Sequence, residues 1–158
     1  MPILQMRSQL ALHTRCENQI VNEINREAVR WGDSEQVRAL RRKYEHETHR
    51  PVEPSRKYNC HGLTFASRRT WIQDAQEVRK ILKDDDYEEV VPPATVFPGD
   101  IAIYYKDGDV EHSGIVVGTG EYNVPLILSK WGVCHEVVHR LGASEYDAQN
   151  VIYYRIRT

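Results

Sequence analysis

The sequence predicts an α+β fold, with helices first and an antiparallel sheet after them. Three observations carry this. Apolar residues recur at helical spacing through roughly the first half of the chain, they alternate as in strands from residue 100 onward, and Asp107-Gly108 lies between two alternating runs as a hairpin signal. At 158 residues, the chain is long enough for one domain with a real core and too short for two ordinary ones.

Taken in order, Cys16, Ile20, Ile24, Ala28 and Trp31 fall on one helical face, with Gly32 as a natural stop. Asp33 followed by Gln36 resembles a capping box, and the helix it opens turns Val37, Leu40 and Tyr44 inward. Pro51 ends that helix, and residues 51–55 read as a linker. Asn59 is a favoured N-cap, so Cys60 takes the first helical position, with Leu63, Ala66 and Thr70 on a buried face. Ala75, Val78, Ile81 and Leu82 mark a further helix, and an acidic run and Pro92-Pro93 close the helical half. Strands are then expected over residues 100–105, 111–118, 126–131 and 151–156. Residues 134–141 fit a helix or a strand equally well. Residues 1–54 are thus expected as an N-terminal helical extension, and 55–158 as the core of one compact unit.

The formal net charge of −2 gives no overall drive toward nucleic acid or anionic membrane. Three cysteines are too few, and odd in number, for a disulfide framework, so a reducing compartment is expected. The N-terminal stretch lacks the pattern of a secretory signal, and no segment reaches the length of a membrane span. The expected location is cytoplasmic, which is compatible with delivery by a dedicated secretion machine.

Residues 57–67 (KYNCHGLTFAS) are the stretch with the clearest chemistry. A thiol at a helix start sits where unpaired backbone N–H groups favour the thiolate. His112 lies in the middle of the second strand. If the face it shares with Val110, Gly114 and Val116 meets the cysteine helix, its imidazole can take the thiol proton. Ser129, the polar residue of an apolar strand, is a candidate orienter of that ring, with Lys130 on the other face. The bland alternatives are a buried structural cysteine, a satisfied histidine and an ordinary strand-end serine.

KYNCHGL resembles the cysteine motif of the papain-like, NlpC-type peptidases at Tyr58, Cys60, Gly62 and Leu63, departing from it at Asn59 and His61. PGDIAIYY and HSGIVVG resemble the same family's next two strands at Pro98, Gly99, Asp100, His112, Gly114, Ile115 and Gly118. The family's third polar residue falls on or near Ser129. SKWG with the later His139 and Tyr146 is similar to a bacterial subgroup that has a Tyr-Asn-Cys motif. The resemblance covers residues 55–158. It implies a papain-like fold and a cysteine hydrolase of amide bonds: a peptidase, a peptidoglycan amidase or a deamidase. Cys60 would be nucleophile, His112 base and Ser129 orienter, with Lys130 or His139 as other candidates for the third group. The Cys60 N–H, assisted by Tyr58, would hold the oxyanion. No cofactor or metal is implied, the substrate is a peptide or peptidoglycan-type amide, and the N-terminal helices would cover the cleft or bind a protein partner.

A rival lies in HEVVH. On a helix, His135 and His139 would bind zinc, with Glu136 as general base and Glu145 or Asp147 as third ligand. Against it, the metzincin methionine turn has no counterpart, since Met1 and Met6 are the chain's methionines, and few residues follow Glu145. A non-catalytic module of the papain-like fold is the other alternative.

Overall fold

The computed structural model describes residues 9–51 and 53–157, so residues 1–8, the start of the N-terminal stretch read above against a secretory signal, lie outside it, as do Val52 of the expected linker and Thr158. Three helices, α1 (Trp31–Lys43), α2 (Cys60–Ala66) and α3 (Ala75–Asp84), accompany seven strands. These are β1 (Thr48–His49), β2 (Tyr87–Glu89), β3 (Ile101–Lys106), β4 (Asp109–Thr119), β5 (Pro125–Lys130), β6 (Glu136–Arg140) and β7 (Val151–Ile156). They form one sheet in the order β1-β6-β5-β4-β3-β7-β2, every neighbouring pair antiparallel. The α+β class is as expected, and the ambiguous segment around 136–140 is a strand.

The sheet is covered on both faces. Ile101, Ile103 and Val110 pack with Ile72, Val78 and Ile81 beneath α2 and α3. On the other face, Val37 and Leu40 of α1 pack with Trp131, Cys134 and Val137, and Tyr104 and Ile127 pack with Tyr146.

Residues 16–30 are not the expected helix. They form no helix: the chain turns at Arg15 and Cys16 and is held by bridges from His13 to Gln19 and from Glu23 to Trp71. Tertiary hydrogen bonds outweigh helical periodicity here. The Arg15 N–H donates to Asp85 Oδ1 at 2.7 Å, and the Thr14 hydroxyl and Asn18 amide donate to Asp84 Oδ2 at 2.7 and 2.8 Å. Gly32 is therefore not a stop but lies in the first turn of α1. Asp33 is not the N-cap but sits three residues in, its carboxylate accepting from the Arg30 N–H at 2.9 Å. Residues before 54 pack on those after it. Ile20 is buried in the α2–α3 core, α1 packs on the sheet, and β1 pairs with β6.

Two features position the site. The hairpin turns at Asp107 and Gly108, whose φ values of 51° and 77° are those of a tight primed turn. Just beyond it, Tyr105 pairs with Val110 but Tyr104 pairs with His112, so Glu111 is an extra residue, a β-bulge.

Candidate active site

Asn59 builds the start of α2 as the sequence predicts. Its side-chain oxygen accepts from the Gly62 N–H at 2.9 Å and the Ile72 N–H at 3.1 Å, and its amide donates to the Ile72 carbonyl at 2.7 Å. A Cβ on Gly62 would stand 1.9 Å from the Thr70 carbonyl oxygen, so glycine alone permits this close approach. The start of the helix is thereby locked to residues 70–72, and Cys60 is held against β4, 7% exposed. Burial pushes the Cys60 thiol up to about 11. The Ser113 and His61 backbone N–H groups, the Lys130 ammonium and the Ser113 hydroxyl all act in the opposite direction, favouring the thiolate.

Ser113 is the β4 residue that faces α2. Its hydroxyl lies 2.7 Å from His61 Nδ1 and 3.0 Å from Thr64 Oγ1, while Thr64 donates to the Cys60 carbonyl at 2.9 Å. Burial pushes His61 down to about 4, so its ring is neutral at physiological pH. Cys60, Ser113 and His61 therefore make one polar cluster.

His112 is not part of that cluster. The expected Cys60–His112 hydrogen bond is absent, because strand alternation turns His112 away once Ser113 faces the helix. Expecting Val110 and His112 to share a face left out the Glu111 bulge. Val110 packs in the core under the helices, and His112 points to the opposite side with its β3 partner Tyr104. There it stacks on Tyr146, ring centroids 3.6 Å apart and planes within 5°. It is fully buried, both ring nitrogens lack partners among the described residues, and burial first, then the neighbouring His61 and His139 rings, with which it would compete for a proton, hold its pKa well below the ordinary value.

Ser129 does not orient His112. It donates to His139 Nε2 at 2.7 Å and accepts from Trp131 Nε1 at 3.2 Å, while His139 Nδ1 donates to the Arg140 carbonyl at 2.9 Å. Tyr58 is likewise not free to hold an oxyanion, since its hydroxyl donates to the Glu136 carboxylate. Arg68 grips the same carboxylate with two bonds, at 2.6 and 2.9 Å, and Glu136 is completely buried.

The HEVVH stretch lacks the helix its zinc reading requires. On a strand, residues four apart are separated by ~13 Å. Glu136 is held by Arg68 and Tyr58, His135 Nε2 lies 2.7 Å from His49 Nδ1, and His139 holds Ser129. No group of three His, Cys, Asp or Glu among the described residues is placed to hold a metal ion.

Sequence reasoning missed Ser113 and His61 and left Lys130 as one option among three. The bulge that brings Ser113 to the helix side has no signal in the alternation. His61 and Lys130 carried weak ones, a titratable residue beside the cysteine and a lysine in an apolar strand. A cavity of about 610 Å³ opens on the opposite face between α1, Trp131 and Tyr146, so Tyr146 stands between it and His112. No helix among the described residues is long and apolar enough to cross a membrane. In comparisons with known proteins, no family model, no curated protein and no solved structure matches the chain.

Proposed function

We propose that this protein is a papain-like cysteine hydrolase of amide bonds, with Cys60 as nucleophile. The observation that carries the reading is the place of Cys60 at the first position of α2, against a Ser113 hydroxyl that lies 2.7 Å from His61 Nδ1, with the His61 and Ser113 backbone N–H groups and that hydroxyl favouring its thiolate. In this reading the thiol proton passes to Ser113 Oγ as the Ser113 proton passes to neutral His61 Nδ1, along the 2.7 Å contact. The thiolate attacks the carbonyl carbon and the C=O electron pair moves to oxygen. The C–N bond then breaks, and the amine leaves with the proton returned along the same path. Water hydrolyses the thioester, giving the acid and the free thiol. Substrates are peptide or peptidoglycan-type amides, or a glutamine side chain, whose hydrolysis would release ammonia rather than an amine.

Cys60→Ala is expected to abolish turnover while leaving the circular dichroism spectrum unchanged, because a small residue fits the first helical position. Turnover equal to wild type in this variant would refute the assignment. One observation favours a second reading, a non-catalytic module of the same fold. Cys60 is buried, and burial raises its thiol to about 11. Iodoacetamide separates the two readings at neutral pH. A nucleophile labels ahead of the exposed Cys16, whereas a core thiol labels after it.

A further inference from the structure

The Glu111 bulge has two effects on the face of the sheet away from α2. It turns His112 to that face, and it brings a carboxylate to the cavity between α1, Trp131 and Tyr146. Bulges re-aim side chains in this way beside binding sites. At about 610 Å³, the cavity has the size of a small-molecule site. The charged residues of its lining are Lys43, Glu111 and Glu145. Lys43 is taken by Glu145, donating to both carboxylate oxygens at 2.9 and 3.0 Å. The ion-pair partner of Glu111 among the described residues is Lys106, at 4.0 Å and 67% exposed. The walls thus carry one excess negative charge beside two aromatic rings.

Behind the Tyr146 ring lie polar atoms with nothing to bond. His112 is completely buried with both ring nitrogens unpartnered among the described residues, and the buried Tyr104 hydroxyl is unpartnered too. Folded proteins rarely leave such groups unpaired. Tyr146 stacks on His112 at 3.6 Å and lies 6.0 Å from Tyr104, ring centre to ring centre, and so walls them off from the cavity. Tyr146 belongs to the loop between β6 and β7, which the exposed Lys43–Glu145 pair fastens to α1. Exposed pairs contribute little, so the loop moves at small cost. The groups that meet here are acceptors: the Glu111 carboxylate, the Tyr104 oxygen and the lone pair of the neutral His112 ring. We infer that the cavity binds an organic cation, a guanidinium or primary ammonium on an apolar stem, and that Tyr146 swings off His112 to admit it. Glu111 supplies the counter-charge, Leu40 and Trp131 meet the stem, and the N–H donors reach His112 and Tyr104. The inference is independent of the reading of Cys60 as nucleophile.

The test is an NMR titration of the full chain with n-butylguanidinium, with butyramide and butyrate as neutral and anionic probes of similar length. Saturation is expected with the cation and not with the other two, and the ring signals of Tyr146 and His112 are expected to shift together as the stack opens. Glu111→Gln is expected to weaken binding about tenfold, the worth of a hydrogen bond to a charged group. Lys43→Gln is expected to tighten it, because the Glu145 carboxylate is freed, a gain that damage to the fold would not produce. Ala39→Trp sets a large side chain into the cavity from an exposed helix position, and is expected to abolish binding in a folded protein. Failure of the cation to bind overturns the inference, as does equal binding of butyramide or butyrate. So does a His112 signal that stays in place while the cation saturates. Undiminished affinity in Glu111→Gln or Ala39→Trp, or weaker binding in Lys43→Gln, overturns it as well.

Discussion

Glu136 is a residue whose charge the fold must support. Burial alone would raise its carboxyl pKa, but the bonds from Arg68 and Tyr58 outweigh burial and hold it below the ordinary value. A depressed folded pKa means that the stabilisation is fully present above the unfolded carboxyl range and fades as pH falls through the folded value. Arg68→Ala would leave a buried carboxylate with Arg50, at 3.7 Å, as its remaining ion-pair partner. Such a change costs about 3 kcal/mol at pH 7, because the buried charge keeps only the Tyr58 bond and the longer Arg50 contact. Urea denaturation at pH 7 and again at pH 3 checks it. The deficit is expected to shrink in acid, where Glu136 is neutral, and an equal deficit at both would place its origin in packing.

Among the elements, α2 depends on two residues more than on its own seven-residue length. Asn59→Ala removes three hydrogen bonds, one to the helix and two to Ile72. It should lower stability by about 2 kcal/mol, the upper end for a cap. Gly62→Ala should do worse, since its Cβ would meet backbone at 1.9 Å and residues 70–72 would have to move. A thermal melt of each variant checks the order, and Gly62→Ala melting above Asn59→Ala would contradict it. The same scale shows what could be read in advance. The start of α2, the helix through Val78 and Ile81, the Asp107-Gly108 turn and β7 were legible because caps, turn residues and periodicity are local signals. The non-helical course of residues 16–30 was not, because its hydrogen bonds go to the carboxylates of Asp84 and Glu77 and to the Trp71 backbone, far along the chain. Nor was the Glu111 bulge, which swaps His112 for Ser113 on the helix side. For the site, Cys60 could thus be placed from sequence, whereas its partners depended on one inserted residue.

At the scale of the whole molecule, four histidines, His61, His112, His135 and His139, are buried and held neutral, burial being the leading cause each time. Their folded pKa values lie below the ordinary 6.5, at about 4 for His61 and His135. The unfolded chain therefore binds more protons, and stability falls as pH drops below about 6.5. Chemical denaturation across pH 8 to 4 should show a midpoint that declines from near pH 6.5, earlier than carboxylates alone would produce. A flat profile down to pH 5 would show that these rings do not resist protonation. The strand order carries a consequence of another kind. The sheet ends in β1, two residues long, and β2, three residues long with Glu88 and Glu89 in it. The longer strands β3, β4 and β5 all lie inside. A passing extended chain thus finds only stub ends and like-charged side chains to add to, so the sheet is a poor template for further strands and for self-association in fibres.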